Sequence, residues 1–316
     1  MEGQAVMLQT CAALRQTLRE AVGRVVMASG DAVDALATGL LAGGHVLIEG
    51  VPGVAKTTLA RTFAGCLGLA FRRVQFTADL LPGDIVGTHV FVPPTGDFVR
   101  REGPVFTELL LADELNRSPA KTQGALLEAM QEGQVTLEGS TYPLPRPFFV
   151  IATQNPLEER GVYALPDAQL DRFLLRFHLP YPPEEEELAM LAAHRAAPAG
   201  PERVVTRETL LALIGARADV VVAPSLQRWM VTMARATREH DALRAGVSPR
   251  ALLALQRAAQ ARAMLEGRDH VVPADIEALV PLVWSHRVQV WDDLDDGRAS
   301  EHLPALVQQT RPSVWT

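Results

Sequence analysis

The sequence predicts an α/β protein: a doubly wound parallel sheet followed by a smaller all-α C-terminal domain. Three observations predict it. Short apolar runs at 45–49, 109–112, 148–152 and 173–177 alternate with longer stretches of helical periodicity, the order that builds a parallel sheet with helices on both faces. The run Leu109-Leu110-Leu111-Ala112 is apolar at every position, as a strand covered on both sides must be. After Tyr181-Pro182-Pro183 the strand signal stops and helical stripes take over.

The bulk properties set limits on partners and compartment. The chain has 316 residues, 48% of them hydrophobic, enough for one large or two medium domains with a sizeable core. Thirty Lys and Arg against thirty-seven Asp and Glu leave a net charge of −7. Non-specific affinity for nucleic acid comes from neutralising phosphates, so this balance argues against DNA as the main partner, without excluding a local basic groove. Membrane insertion is not expected, because the stretch from Ala35 to Ile48 is short and broken by Gly39, Gly43 and Gly44. The N-terminus lacks the basic start and apolar block of a signal peptide, and a cytoplasmic protein is expected. Cys11 and Cys66 lack metal-ligand spacing and are expected as buried or partly buried thiols of a reducing compartment.

In chain order, Leu8, Cys11, Ala12, Leu14 and Leu18 predict an opening helix, and a second runs from Asp31 to about Leu41. His45-Val46-Leu47-Ile48 reads as a strand. The helix after it places Leu59, Phe63, Cys66 and Leu67 on one face. A second strand is expected at Arg73–Phe76. Between Thr88 and Phe106, apolar stretches flank Pro93-Pro94-Thr95-Gly96-Asp97, a hairpin signature inserted before the next core strand. Ser118 is expected to cap a helix that has Pro119 in its first position and buries Leu126, Leu127 and Met130. A second hairpin, Gln134–Leu144 around Glu138-Gly139, precedes the strand Phe148–Ala152, and Phe173–Phe177 supplies one more. A domain boundary is placed near 181, dividing 1–181 from 182–316. Beyond it, Glu184–Glu187 sit in a first helical turn, where the dipole favours them. Leu226, Trp229, Met230 and Met233 form a core-type stripe, and so do Ile276, Leu279, Val280 and Val283. The tail past Trp291 is acidic and poorly patterned.

The segment Gly50-Val51-Pro52-Gly53-Val54-Ala55-Lys56-Thr57 directly follows an apolar strand and opens a helix, the context a phosphate-binding loop requires. Glycines let backbone N–H groups converge on phosphate oxygens, and the helix N-terminus adds positive dipole. Lys56 would reach the β- and γ-phosphates, the Thr57 hydroxyl would ligate Mg2+, and Thr58 follows in the same first turn. Ala55 stands where the pattern expects its last glycine, which requires a negative φ at that residue.

A second signal is the apolar strand ending in Asp113-Glu114. Asp113 would hold the metal's hydration shell, and Glu114 would polarise the water that attacks a γ-phosphate. Solvated carboxylates at a strand end are the bland alternative, and the phosphate loop upstream weighs against it. The third signal is Thr153-Gln154-Asn155-Pro156 after the next strand, where an amide would contact the γ-phosphate or orient the water. A lone Asn before Pro is usually only a turn residue, so its meaning comes from following the acidic strand.

This combination, in this order, resembles the AAA+ ATPases, and within them the MoxR family. The resemblance rests on 50–57, on Gln-Phe-Thr-Ala-Asp-Leu-Leu-Pro-Gly-Asp-Ile-Val-Gly at 75–87, and on Asp-Glu-Leu-Asn-Arg-Ser-Pro-Ala-Lys-Thr-Gln-Gly-Ala-Leu-Leu-Glu-Ala-Met-Gln-Glu at 113–132. Further segments are Ala-Thr-Gln-Asn-Pro at 152–156, Leu-Pro-Asp-Ala-Gln-Leu-Asp-Arg-Phe at 165–173 and Val-Ser-Pro-Arg-Ala at 247–251. It spans about residues 20 to 290. Ala55 is what the family usually carries. The chain departs at Asp167, where the family usually has Glu, and at Glu159-Arg160.

The resemblance implies an AAA+ P-loop NTPase core with a helical lid, binding ATP and Mg2+. It implies that Asn155 is sensor 1 and that Arg250 is sensor 2, a reading that suits a helix capped by Ser248 with Pro249 at its start. It implies an arginine acting on a neighbouring subunit's site, Arg172 first and Arg117 second, each weighed against an ordinary surface ion pair. A trans arginine needs a homo-oligomeric ring, a hexamer by the resemblance. The hairpin at about 88–106 matches the family's insert; facing the pore or a partner and simply facing solvent stay open alternatives. The family implies chaperone-like maturation of a protein client with a partner carrying a von Willebrand factor A domain. A ring ATPase acting on nucleic acid is the main alternative. A small-molecule kinase is a third, opposed by the Glu114 position, the lid with Arg250 and the lack of a substrate-binding insertion.

Overall fold

The computed structural model describes residues 2–26, 30–94, 96–155, 163–193, 200–291 and 298–312. Two helices come first. The first, α1 (Glu2–Gly23), turns Cys11, Leu14, Leu18 and Val22 inward. The second, α2 (Gly30–Leu41), has no charge after Asp34 and is buried from Ala32 to its end. Asp34 joins the two by accepting from Arg15 Nη2 at 2.6 Å and Arg19 Nε at 2.8 Å.

Every residue of β1 (Val46–Glu49) is buried. The loop after it enters α3 (Lys56–Leu67), which buries Leu59, Phe63, Cys66 and Leu67 as their spacing predicts. The helix ends at Gly68, whose φ of 65° returns its N–H to the Ala64 and Gly65 carbonyls. The strand expected at 73–76 is β2 (Phe71–Gln75). A short helix, α4 (Pro82–Val86), precedes the first hairpin, β3 (Gly87–Val92) with β4 (Asp97–Glu102), in which Phe91 faces Phe98. Wholly buried β5 (Leu109–Asp113) and a 3-10 turn, Leu115–Arg117, lead to α5 (Ala120–Glu132). The second hairpin, β6 (Gln134–Leu137) with β7 (Ser140–Pro143), turns at Glu138 and Gly139 with φ of 48° and 83°, the double positive φ of a hairpin turn. Then come β8 (Phe149–Gln154), α6 (Asp167–Leu170) and β9 (Leu175–His178).

The strands β2-β5-β8-β1-β9 form one parallel sheet in that order. Side chains alternate along a strand, so each apolar strand feeds two cores. Val46, Ile48, Leu109, Leu111 and Ile151 join the cluster that contains α1, α2 and α3. Leu47, Leu110, Ala112, Val150 and Ala152 join the opposite one, with Leu126 and Leu127. That is why these runs show no polar alternation. The chain crosses from β8 past β1 to reach β9, so the loops leaving β1 and β8 diverge and leave a crevice at their carboxyl ends.

After β9 the chain is mostly helical: α7 (Glu184–Ala193), α8 (Arg207–Ala216), α9 (Pro224–Glu239), α10 (Pro249–Leu265), α11 (Pro273–Trp284) and α12 (Arg298–Thr310). Both predicted stripes, on α9 and α11, are buried. Helices α1 and α2 also pack on α10, so one apolar cluster runs from the sheet face into these helices.

The C-terminal part is helical as expected and adds one short strand pair, β10 (Leu243–Ala245) antiparallel to β11 (Gln289–Val290). Other expectations are corrected. The unpatterned tail contains α12, which buries Leu303, Leu306 and Val307 against α9 and α11; its spacing is helical, but the acidic run before it obscured that. Ser118 does not cap α5. It is extended and wholly buried, its Oγ donates back to the Leu115 carbonyl at 3.2 Å, and the helix begins at Ala120. Pro156, Glu159 and Arg160 lie outside the described residues, as do 292–297 and 313–316 of the tail. Both cysteines are buried free thiols, and burial pushes Cys11 up to about 12. Among the described residues no helix is long and apolar enough to cross a membrane.

Candidate active site

The loop 50–55 is pinned against the neighbouring strand. A Cβ on Gly50 would lie 2.8 Å from the Leu179 carbonyl, so only glycine fits. Val51 and Val54 anchor the loop inward, while Pro52 and Gly53 are exposed. Gly53 and Ala55 both have positive φ, 90° and 58°. The negative φ expected at Ala55 is therefore overturned. Ala55 is the residue before α3 rather than part of its first turn, and its left-handed conformation, at a cost of about 1–2 kcal/mol for a residue with a Cβ, bends the loop into the helix. Left-handed residues in such a loop turn successive N–H groups to a concave side, a cradle for anions.

Lys56 is buried, and its Nζ donates to the Gly50 carbonyl and, at 3.5 Å, to the Gln154 carbonyl at the end of β8. Thr57 Oγ1 donates to Asp113 Oδ2 at 3.1 Å. Thr153 joins the two acids: its hydroxyl donates to Asp113 Oδ1 at 2.6 Å and accepts the Glu114 N–H at 2.9 Å. Glu114 has φ of 56° as the chain leaves β5 for the 3-10 turn. Its Oε2 accepts from Gln75 Nε2 at 2.6 Å and lies 3.0 Å from Arg117 Nε. Asn155 is buried just past β8, next to the point where the Gly50 N–H meets the Gln154 carbonyl at 3.3 Å. Thr58 lies exposed on the first turn of α3. The loop 50–55, both acids and Asn155 thus meet at the ends of three adjacent strands, β5, β8 and β1.

The expected arginines are placed differently. Ser248 caps α10 by accepting the Ala251 N–H at 3.2 Å, with Pro249 in the first turn, as the sequence predicts. Arg250 is largely exposed and pairs with Asp171 at 3.6 Å. Arg172 does not join the loop and the acids; it lines a cavity of about 310 Å³ with Gln169, Glu128 and Glu132. Arg117 folds back on Glu114 of its own chain.

Sequence reasoning missed several groups. Arg73 donates Nε to Asp113 Oδ2 at 2.9 Å and also reaches Gln75. Period-two spacing puts Arg73 and Gln75 on one face of β2, with Gln75 opposite Asp113, so strand alternation held that signal. Glu49 is buried between Gln154 and Arg176, whose Nε lies 2.8 Å away, and steadies the strand end that launches the loop. Nothing in the local sequence marks Arg287, whose side chain is 3% exposed and bonded to Asp171 and to the carbonyls of Phe173 and Leu174. Burial lowers the pKa of Arg287, and Asp171 opposes that shift.

A hydroxyl and a carboxylate 3.1 Å apart are hard oxygen donors that suit Mg2+. Among the described residues no group of three or more His, Cys, Asp or Glu forms a metal cage. Mg2+ commonly takes one or two carboxylates and completes its shell with waters and phosphate oxygens, so the residues present fit that ion together with a nucleotide.

Comparison with known proteins finds matches to both parts of the chain. Residues 45–175 match the family model described as the ATPase family associated with various cellular activities (AAA), and 235–306 match an AAA lid domain. The chain is 44% identical over 273 residues to the uncharacterized protein YeaC of Bacillus subtilis, covering 86% of this chain and 85% of that one. It is 42% identical over 299 residues to Chaperone MoxR1 of Mycobacterium tuberculosis, covering 92% and 79% respectively. A crystal structure of a candidate ATPase from Cytophaga hutchinsonii superposes with a TM-score of 0.88 at 35% identity, over 98% of this chain and 97% of that one.

Proposed function

The chain belongs to the MoxR family of AAA+ ATPases, and from that premise we propose that it hydrolyses Mg·ATP at the seams of a homo-oligomeric, hexameric ring to remodel a protein client. The observation that supports this most is the convergence of Lys56, Thr57, Asp113, Glu114 and Asn155 at the ends of adjacent parallel strands.

In this reading the loop 50–55 and Lys56 grip the phosphates, with Lys56 exchanging its two carbonyl partners for phosphate oxygens. Thr57 and Asp113 hold Mg2+, which when bound neutralises charge on the transferring phosphoryl group. Glu114, once free of Gln75 and Arg117, accepts the proton of the attacking water. Asn155 orients that water or the γ-phosphate. Arg250 brings the lid over the nucleotide, and Arg172 reaches the site of the adjacent subunit. Residues 1–181 form the nucleotide-binding domain and 182–316 the lid.

The chaperone named among the relatives supports client maturation, and a von Willebrand factor A domain partner and a cytoplasmic setting complete the proposal. The net charge of −7 weighs against the nucleic-acid alternative. The test is phosphate release by the purified chain with Mg·ATP, paired with light scattering in ATP. Release together with ring-sized mass is expected, and a monomer that releases no phosphate contradicts the proposal.

A further inference from the structure

Asp113 has a cation on it already. Arg73 presents Nε at 2.9 Å and Nη2 at 2.8 Å to Oδ2, the same oxygen that accepts from Thr57, while Oδ1 is taken by Thr153. The Asp113 side chain is only 8% exposed, whereas that of Arg73 is 42% exposed on β2, the outer strand of the sheet. Arg73 also donates to Gln75 Oε1, which leaves the Gln75 amide nitrogen facing Glu114 Oε2 at 2.6 Å. One chain of contacts therefore runs from the expected metal ligand to the expected base: Asp113, Arg73, Gln75, Glu114.

We propose that Arg73 is the cation that balances Asp113 in the metal-free protein and yields it to Mg2+. The inference rests on the Mg·ATP reading given above and adds a residue that the reading does not use. A guanidinium and Mg2+ seeking one buried carboxylate oxygen repel each other, and the singly charged side chain that can swing into water gives way to the divalent ion. Arg73 can do so because its long stem lies at a sheet edge with water beside it.

The experiment follows binding of mant-ADP, which takes hydrolysis out of the measurement. Binding is first measured in EDTA and then as Mg2+ is added, for the wild type, Arg73→Gln and Arg73→Lys. Loss of a charge-assisted competitor should lower the Mg2+ midpoint about tenfold in Arg73→Gln, with Arg73→Lys in between. An unchanged or higher midpoint in Arg73→Gln, with wild-type Mg2+ dependence intact, overturns the inference alone. A wild type that binds no mant-ADP, or binds it with no response to Mg2+, overturns the site reading and this inference with it.

Discussion

Arg287 donates Nε to the Asp171 carboxylate at 2.7 Å, and its Nη2 meets the Asp171 and Phe173 carbonyls at 3.0 and 2.6 Å. His286 adds a contact from Nε2 to the Phe173 carbonyl at 3.0 Å. One buried turn after α11 thus holds the segment that carries Arg172, on a path of main-chain carbonyls rather than side chains alone. Removing this guanidinium leaves Asp171 with the longer Arg250 contact and takes the donor from buried carbonyls, Phe173 and Leu174 among them. Arg287→Leu should cost about 3 kcal/mol of stability, read from the urea midpoint. A loss below about 0.5 kcal/mol would show that water replaces the guanidinium freely.

Arg250 offers the contrast. It meets the same Asp171 at 3.6 Å, but its side chain is 59% exposed. Arg250→Ala should leave unfolding within about 0.5 kcal/mol of wild type, because an exposed pair contributes little. If its role is to reach the nucleotide, hydrolysis should fall at least about tenfold in the same variant. Equal rates with equal stability would remove Arg250 from the site.

Arg172 and Lys56 belong to different halves of a shared site under the ring reading. Arg172→Ala and Lys56→Ala should each be inactive alone, and Lys56→Ala should also bind nucleotide at least about tenfold more weakly. Mixed rings should recover part of the activity, because some seams pair an intact Lys56 with a neighbour's intact Arg172. Mixed rings that form and never hydrolyse would exclude Arg172 as the trans residue.

His45 gives a pH prediction. Its Nε2 donates to the Met130 carbonyl at 3.0 Å and its Nδ1 accepts the Val150 N–H at 3.1 Å, so both nitrogens are used in the neutral form. Burial lowers its pKa to about 4. Between pH 4 and 6.5 the unfolded chain binds more protons than the folded one, so stability rises with pH across that window. About 3 kcal/mol is fully present above pH 6.5 and lost as pH falls toward 4. His286, also held well below 6.5 by burial, has the same sign, so His45→Asn should flatten the acid limb without abolishing it. An unaltered slope between pH 6.5 and 4 would refute this.

Much of the fold was legible because burial on both faces leaves a simple mark: Leu109 to Ala112 can only be a central strand. The convergence of the loop 50–55 with the paired acids was legible because the chemistry expected of them demands fixed spacing after a strand. Ala55 was misread because residue type alone does not report φ; the position needs a left-handed bend, and the chain accepts a Cβ there. Ser118 was misread because its local capping signal lost to a buried hydroxyl that bonds Leu115. Arg73, Arg176 and Arg287 find their acids 40, 127 and 116 positions away, by pairing and packing that no local pattern encodes.

Glu114→Gln tests the central claim most directly. The substitution keeps the Glu114 N–H bond to Thr153 and nearly the same shape, while it removes the carboxylate that would take a proton from water. Stoichiometric ATP binding with turnover slowed at least about 10²-fold, in assemblies the size of the wild type, is the expected result. Turnover within about twofold of wild type in that variant would contradict it.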